Sequence, residues 1–210
     1  EDNNFSYWVN KVAIVTDCGD EVGLTIIEQL AKAYMIVIGF TLYANKIAGK
    51  IVFTYEKIKD TYEGVCNTDC LVSTGNLEDF RQIIDVNIHA MVAFTRLVAE
   101  TMIKRKTRGH IININDLCSY QIPIETRQSV FIAAKAAITS VNQILRHEFR
   151  FLKANMKVTN IACGSVESSM EPASNAPRLK LRDVVKLVRL ILNTPKQLQV
   201  HEVLLDSVVE

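Results

Sequence analysis

The sequence predicts an α/β fold of the Rossmann type, with a doubly wound, mostly parallel sheet in a three-layer α/β/α arrangement. Short β-branched runs alternate with amphipathic helical stripes along the whole chain. The strand runs are apolar on both faces, which is typical of strands buried between two helix layers. A length of 210 residues suits one large domain, so we expect a single domain over residues 1–210.

The chain opens with a predicted β-α-β unit. Lys11 to Thr16 is an apolar run too short for a helix. From Glu21 to Ala33, apolar residues recur at helical spacing, and a second apolar run follows from Met35 to Phe40. These patterns predict a strand, a helix and a second strand.

Strands and helices continue to alternate downstream. Further strands are predicted over Asp69 to Ser73, Gly109 to Asn115, Met156 to Ala162 and Gln199 to Leu205. Further helices are predicted over Leu77 to Lys104, Gln128 to Lys153 and Leu181 to Leu192. Because such folds bind ligands beyond the carboxyl ends of their strands, the residues just after each strand are the candidates for function.

Composition excludes several classes of partner. The formal net charge is +1, so we expect no electrostatic attraction to nucleic acid or to an anionic membrane. The basic cluster from Lys104 to Arg108 closes a predicted helix and is interpreted as a solvated helix end. The five cysteines lack C-x-x-C spacing and the four histidines are scattered, which predicts reduced thiols, a cytoplasmic location and no metal site. We expect no leader, because the first residues have neither a basic nor an apolar segment.

Several segments in order resemble the short-chain dehydrogenase/reductase family, and its farnesol-dehydrogenase-like branch in particular. They are KVAIVT, a glycine-marked turn, DCLV, DVNI, HIININ, an aromatic-x-x-x-Lys pentad, KVTNIACG and QVHEVLL, between Trp8 and Glu202. The resemblance implies an NAD(P)-dependent alcohol dehydrogenase or carbonyl reductase. Members usually have another helix and strand where this chain has only about thirty residues, Thr41 to Thr68, so one βα unit is expected to be shortened or missing.

The resemblance assigns cofactor-binding positions that have largely changed. The family's glycine-rich phosphate loop corresponds to the segment from Thr16 to Gly23, in which two of three glycines are replaced and Asp17, Asp20 and Glu21 bring carboxylates. Carboxylates at a helix N-terminus use the donors that a phosphate would use and repel it, so we do not expect tight binding of NADP(H) or NAD(H). An alternative is that Gly19, shifted by two positions, supports a loop for a neutral or cationic ligand. The assigned positions are Thr16, Gly19, Gly23, Gly75, Gly164, Val166 and Ser168.

The assigned catalytic positions are Asn87, Asp116, Phe131 and Lys135. Phe131 stands where the family has a tyrosine that donates a proton, and phenylalanine has none to donate. Asp116 replaces the family's serine and would oppose a developing alkoxide. We expect Asp116 and Lys135 to form an ion pair and Asn87 to hydrogen-bond strand backbone. The loop residue Tyr120, with Ser119 and Cys118 beside it, is the alternative source of an acid.

These observations predict an impaired family member that serves in binding or assembly. A homodimer, or a heterodimer with a family relative, would form through the two long helices, with no nucleic acid and no membrane as partner. One alternative is an active short-chain oxidoreductase with a rearranged cofactor loop. The other is a truncated gene product without function.

Overall fold

The computed structural model describes residues 4–16, 21–39, 70–123, 127–167 and 176–208. The chain forms two compact units. The first consists of Glu1–Thr61, Ser165–Leu198 and Asp206–Glu210, and the second of Tyr62–Gly164 and Gln199–Leu205. The expectation of one domain over residues 1–210 stays a prediction, and the shortened interval from Thr41 to Thr68 lies outside the described residues.

The first unit begins with the predicted β-α-β arrangement. Strand β1 (Val12–Val15), helix α1 (Glu21–Lys32) and strand β2 (Ile36–Gly39) follow in order. The strands are parallel, with Val12 opposite Ile36. The three predicted elements are therefore confirmed, with boundaries one or two residues shorter.

Helix α5 (Leu181–Leu192), whose predicted boundaries are confirmed, packs against α1 in the first unit. It buries an apolar face at Val184 and Val188. A short 3-10 helix, Asn4–Trp8, is attached to its end, because the buried Trp8 indole donates a hydrogen bond of 2.7 Å to the Leu192 carbonyl. The bond satisfies one of the carbonyls left without a partner at a helix C-terminus.

The second unit contains the long helices and a three-stranded parallel sheet. Its first helix runs from α2 (Leu77–Ile84) through a π-helical turn (Asp85–His89) into α3 (Ala90–Lys104). The remaining elements are β3 (Gly109–Asp116), a 3-10 turn (Leu117–Ser119), α4 (Ser129–Phe151), β4 (Met156–Cys163) and β5 (Glu202–Leu205). The strand order is β3-β4-β5, and both pairs are parallel. None of the helices in the described ranges is both long and apolar enough to cross a membrane.

The strand predicted over Asp69 to Ser73 is wrong for the residues that the structure describes there. From Cys70 onward the chain forms a turn, and the Leu71 carbonyl accepts the Gly75 N–H at 2.8 Å. This bond uses a backbone group that a strand ladder would need. Among the described residues the strand order is β1-β2 in the first unit and β3-β4-β5 in the second.

Candidate functional site

A pocket of about 370 Å³ lies at the carboxyl ends of β3 and β4 in the second unit. Its position is the one where ligands bind in open α/β sheets. Two of the predicted site residues, Asp116 and Gly164, line it together. The rest of the lining consists of Leu117, Cys118, Gln121, Ile122 and Pro123.

Asp116 is held in place by the turn that follows it. Its Oδ1 accepts the Cys118 N–H at 2.8 Å, and Ser119 Oγ donates to its backbone carbonyl at 2.6 Å. The carboxylate therefore caps the 3-10 turn. The expected ion pair between Asp116 and Lys135 stays a prediction.

Phe131 and Lys135 lie one turn apart on α4. Phe131 is 6% exposed and belongs to a core cluster with Cys70, Ile83 and others. The Lys135 ammonium lies over the ring, with Nζ 5.0 Å from its centroid. A cation above an aromatic face is attracted by the ring's quadrupole, so the pair is a cation–π contact in which the ring has no hydroxyl proton.

Asn87 lies in the π-helical turn and is buried. Its Nδ2 donates to the Ile83 carbonyl at 3.0 Å, one turn earlier in the same helical segment. The expected bond to strand backbone is therefore wrong, since the partner is helix backbone. A side chain in this position satisfies a carbonyl that a π-helical turn shifts out of the regular α-helical ladder.

The three residues that could replace the missing acid are engaged or poorly acidic. The Tyr120 hydroxyl donates to Glu202 Oε2 at 2.6 Å, and burial, followed by this bond, raises the pKa of Tyr120. Burial, followed by the nearby Asp116 carboxylate, raises the pKa of the Cys118 thiol to about 12. Ser119 already donates to Asp116. A general acid for carbonyl chemistry needs a pKa nearer the working pH.

The cofactor positions of the first unit are only partly described. Thr16 follows β1 and is exposed, Gly23 is buried on α1, and Gly19 and Ser168 lie outside the described residues. Val166 forms an isolated parallel bridge with Leu179. The segment after β4 is thus tied to the segment before α5.

The two cofactor positions of the second unit make contacts within the chain. The Gly164 N–H donates to the Leu205 carbonyl at 2.8 Å. A Cβ atom added to Gly75 would lie 2.5 Å from Cys70 Sγ and 2.7 Å from both the Leu71 carbonyl oxygen and Phe80 Cε1. The chain's own atoms therefore fill the space into which a side chain at Gly75 would point.

Replacing Gly75 by alanine is expected to lower the free energy of unfolding by about 2 kcal/mol, because an added methyl group in a filled space forces its neighbours to shift. Backbone is among the atoms in contact, so rotation of one side chain cannot relieve the clash. Urea unfolding followed by circular dichroism measures the change. Ser73→Ala, at an exposed position of the same turn, serves as the control, and equal stability of the two variants would contradict the argument.

A polar stripe on α4, missed in the sequence, faces the sheet. Thr139, Asn142 and Arg146 recur at spacings of three and four residues on α4. Thr139 Oγ1 accepts hydrogen bonds of 3.3 Å from both Asn115 Nδ2 and Asn160 Nδ2. The regular spacing of these polar residues within an apolar helix was the signal that could have revealed the stripe.

Arg146 joins α4 to the last strand through the end of this stripe. Its Nη2 lies 2.7 Å from Glu202 Oε1, and its Nη1 donates to the carbonyls of His201 and Val158 at 3.2 and 3.4 Å. Glu202 also accepts the Tyr120 hydroxyl. Because Arg146 is almost fully buried, this ion pair is part of the core and not of the surface.

Comparison with known proteins gives three findings. The sequence profile of a family described as short chain dehydrogenase matches residues 63–179, more than half of the chain. Farnesol dehydrogenase of Aedes aegypti is 26% identical over 97% of this chain and 98% of that protein. Dehydrogenase/reductase SDR family member 11 of Bos taurus is 30% identical over 67% of this chain and 60% of that protein.

Solved structures confirm the predicted fold class. A 4-hydroxyisoleucine dehydrogenase complexed with NADH has a TM-score of 0.78 at 16% identity, covering 94% of this chain and 98% of that one. A ligand-free aldohexose dehydrogenase of Thermoplasma acidophilum has a TM-score of 0.77 at 16% identity, and the match covers 96% of this chain and 94% of that one. At such identities the likeness shows the Rossmann-type α/β fold alone.

The alignment with the Aedes aegypti protein also supports the expected shortening. It spans 241 positions, whereas this chain has 210 residues, so it opens gaps in this chain. Such gaps are expected if a βα unit is shortened or missing.

Proposed function

Because the chain belongs to the short chain dehydrogenase family, whose members are nicotinamide-dependent oxidoreductases, we propose that it is a catalytically impaired member that serves in binding or assembly. The observation that carries the proposal is the pair Phe131 and Lys135. The lysine ammonium faces an aromatic ring that has no hydroxyl, so the ring lacks the proton that the family's tyrosine gives to a substrate oxygen. A missing general acid typically lowers a rate by about 10²–10⁴-fold.

The second catalytic position supports the same proposal. Asp116 lines the pocket, and one of its carboxylate oxygens accepts the Cys118 N–H. Carbonyl reduction develops negative charge on the substrate oxygen, and a fixed carboxylate beside it raises the energy of the transition state. The pocket is therefore better suited to hold a ligand than to stabilise an oxyanion.

The described residues do not favour a bound nicotinamide cofactor. Such a cofactor would supply or accept the hydride, and the family positions nearest to it include Gly75 and Gly164. Gly75 packs against Cys70, Leu71 and Phe80. The acidic residues Asp17 and Asp20 occupy the expected phosphate loop, outside the described residues.

Association through the long helices is the proposed assembly mode. Exposed apolar side chains on these helices include Val92 and Leu97 on α3 and Ile144 on α4. Exposed apolar side chains of this kind are buried when two copies, or this chain and a family relative, pair. Cys118 and Cys163 form no disulfide among the described residues, which supports our proposal of a cytoplasmic location.

Titration of the folded chain with NADPH and with NADH in a calorimeter is expected to give no binding heat up to millimolar cofactor. The reason is that carboxylates replace glycines in the phosphate loop. Circular dichroism and a cooperative melting curve first establish that the sample is folded. Binding with a micromolar Kd would contradict the proposal and favour an active enzyme with a rearranged cofactor loop.

Restoring the family residues at positions 116 and 131 distinguishes a defect in the catalytic site from a defect in the phosphate loop. The double variant Asp116→Ser/Phe131→Tyr, assayed with farnesol and either nicotinamide cofactor, tests the catalytic site, and each single variant is its control. No activity together with no cofactor binding places the defect in the phosphate loop. A chain that aggregates and shows no cooperative melting would instead support the truncated gene product.

A further inference from the structure

The two long helices of the second unit end side by side. The last turns of α3 and α4 share a core cluster in which Ala99 and Ile103 pack with Phe149. The strands that follow are also joined, because the Gly109 N–H donates to the Asn155 carbonyl at 3.1 Å. Side chains at the two helix ends therefore belong to one surface.

Both helices end in the same way, with a lysine where glycine is usual. Lys106 after α3 and Lys153 after α4 have φ angles of 52° and 51°. In each case the next N–H bonds back five residues, from Thr107 to Met102 and from Ala154 to Phe149. This hydrogen-bond pattern favours glycine at the left-handed position, so each lysine is retained despite backbone strain.

We call this surface the basic end, and it combines exposed cations from the ends of both helices. Two exposed acidic residues, Glu100 and Glu148, lie in the last turns of α3 and α4, and Glu100 is paired with Lys104 at 2.6 Å. The exposed cations of the basic end are Lys104, Arg105, Lys106, Arg150 and Lys153.

Two apolar side chains project from the middle of the basic end. Phe151 is 86% exposed and Leu152 is 53% exposed, and they lie between Arg150 and Lys153 in the chain. Cations at a helix C-terminus are explained by the helix dipole, but an exposed phenylalanine and leucine among them are not. Apolar side chains flanked by lysine and arginine are typical of surfaces that lie on anionic bilayers.

We propose that the basic end, with Phe151 and Leu152, binds the surface of an anionic lipid bilayer. The cations would meet the negatively charged headgroups while the two apolar side chains enter the interface. A second copy is a poorer occupant, because it would bring like charges together. Single-stranded nucleic acid is poorer as well, since successive bases stack on several aromatic side chains and this surface exposes one phenylalanine beside a leucine.

This proposal does not depend on the impaired catalysis proposed above. It also revises the expectation that no membrane is a partner, which came from the net charge of +1. That value averages over the chain, whereas a headgroup responds to the charges within about a Debye length, roughly 10 Å. The basic end is a local excess that the average conceals.

Co-sedimentation of the full chain with vesicles tests the proposal. We expect binding to phosphatidylcholine vesicles that contain phosphatidylserine, little binding to pure phosphatidylcholine, and at least a tenfold loss when salt is raised from 0.05 to 0.5 M. The charge-reversal variant Arg105→Glu/Arg150→Glu is expected to weaken binding at least tenfold, and Phe151→Ser at least threefold. All three substituted positions are exposed, so the variants should keep the wild-type circular dichroism.

The matched control is Arg182→Glu/Lys196→Glu, which changes the net charge equally at exposed positions of the first unit. Leu190→Ser, at another exposed apolar position of that unit, is the control for Phe151→Ser. The controls should bind phosphatidylserine vesicles like the wild type. Equal loss in controls and test variants, or equal binding to both kinds of vesicle, would overturn the proposal. So would tighter binding to a single-stranded oligonucleotide, or a Phe151→Ser variant that loses a dimer but keeps vesicle binding.

Discussion

Replacing Arg146 by methionine is expected to lower the free energy of unfolding by about 3 kcal/mol, because removing one partner leaves the other partner of a buried ion pair uncompensated. The Arg146 side chain is 9% exposed. It bonds to Glu202 and to the carbonyls of Val158 and His201, so its loss removes a cation and three hydrogen bonds from one place. We take the lower end of the range that is usual for breaking a buried ion pair, because Glu202 is not fully buried.

Urea unfolding, followed by circular dichroism, measures this loss from the shift in midpoint at constant slope. The control is Lys186→Met, which breaks the exposed pair between Lys186 and Asp183 on α5. Because exposed pairs contribute little to stability, the control should have the wild-type midpoint. A similar midpoint for Arg146→Met would show that Arg146 does not hold β5 to α4.

Replacing Ile83 by alanine is expected to lower the free energy of unfolding by about 3 kcal/mol, since a fully buried isoleucine leaves a cavity when it is truncated. Ile83 has no exposed surface and packs in the cluster that contains Phe131 and Ala134. This cluster supports the helix segment with the π-helical turn, so the same substitution should loosen Asn87, which bonds to the Ile83 carbonyl.

The neighbouring Ile84 provides a matched control, because it lies on the same helix and is 39% exposed. Ile84→Ala removes the same atoms, and we expect it to change the free energy of unfolding by less than about 1 kcal/mol. Thermal and urea unfolding of both variants measure the difference. If Ile84→Ala were as destabilising as Ile83→Ala, the burial assigned to these two positions would be wrong.

Most helices and strands could be predicted from the sequence, because their patterns are local. The apolar stripe of α5 predicted both ends of that helix correctly. The apolar run of β3 predicted a strand that ends one residue too early, because the strand also includes Asp116. The run from Asp69 to Ser73 was misassigned because its composition suits a strand equally well. The conformation of this segment is determined by a backbone hydrogen bond from the Gly75 N–H to the Leu71 carbonyl. That bond depends on the turn and on the packing of Cys70.

Residue identity alone decided part of the candidate site. The side chain of Phe131 cannot donate a proton in any fold. Asp116 places a carboxylate near the end of β3, whichever residue is the last of the strand. Partner choice was not decided in the same way. The sequence did not reveal that Asp116 caps its own turn or that the lysine lies over Phe131. The distance between the two charges depends on how α4 packs against the end of β3, and no sequence spacing gives that.

The sequence by itself determined the order of the strands and helices, the resemblance to a dehydrogenase family and the loss of its proton donor. These follow from local periodicity and from the chemistry of single side chains. The tertiary structure decided which charges and apolar side chains share a surface. Arg150 and Phe151 are adjacent in the chain, but Arg105 belongs to another helix and joins them only because α3 and α4 pack through Ile103 and Phe149. Packing brings together residues that are distant in the chain, so a net charge of +1 conceals a basic end that only the folded chain reveals.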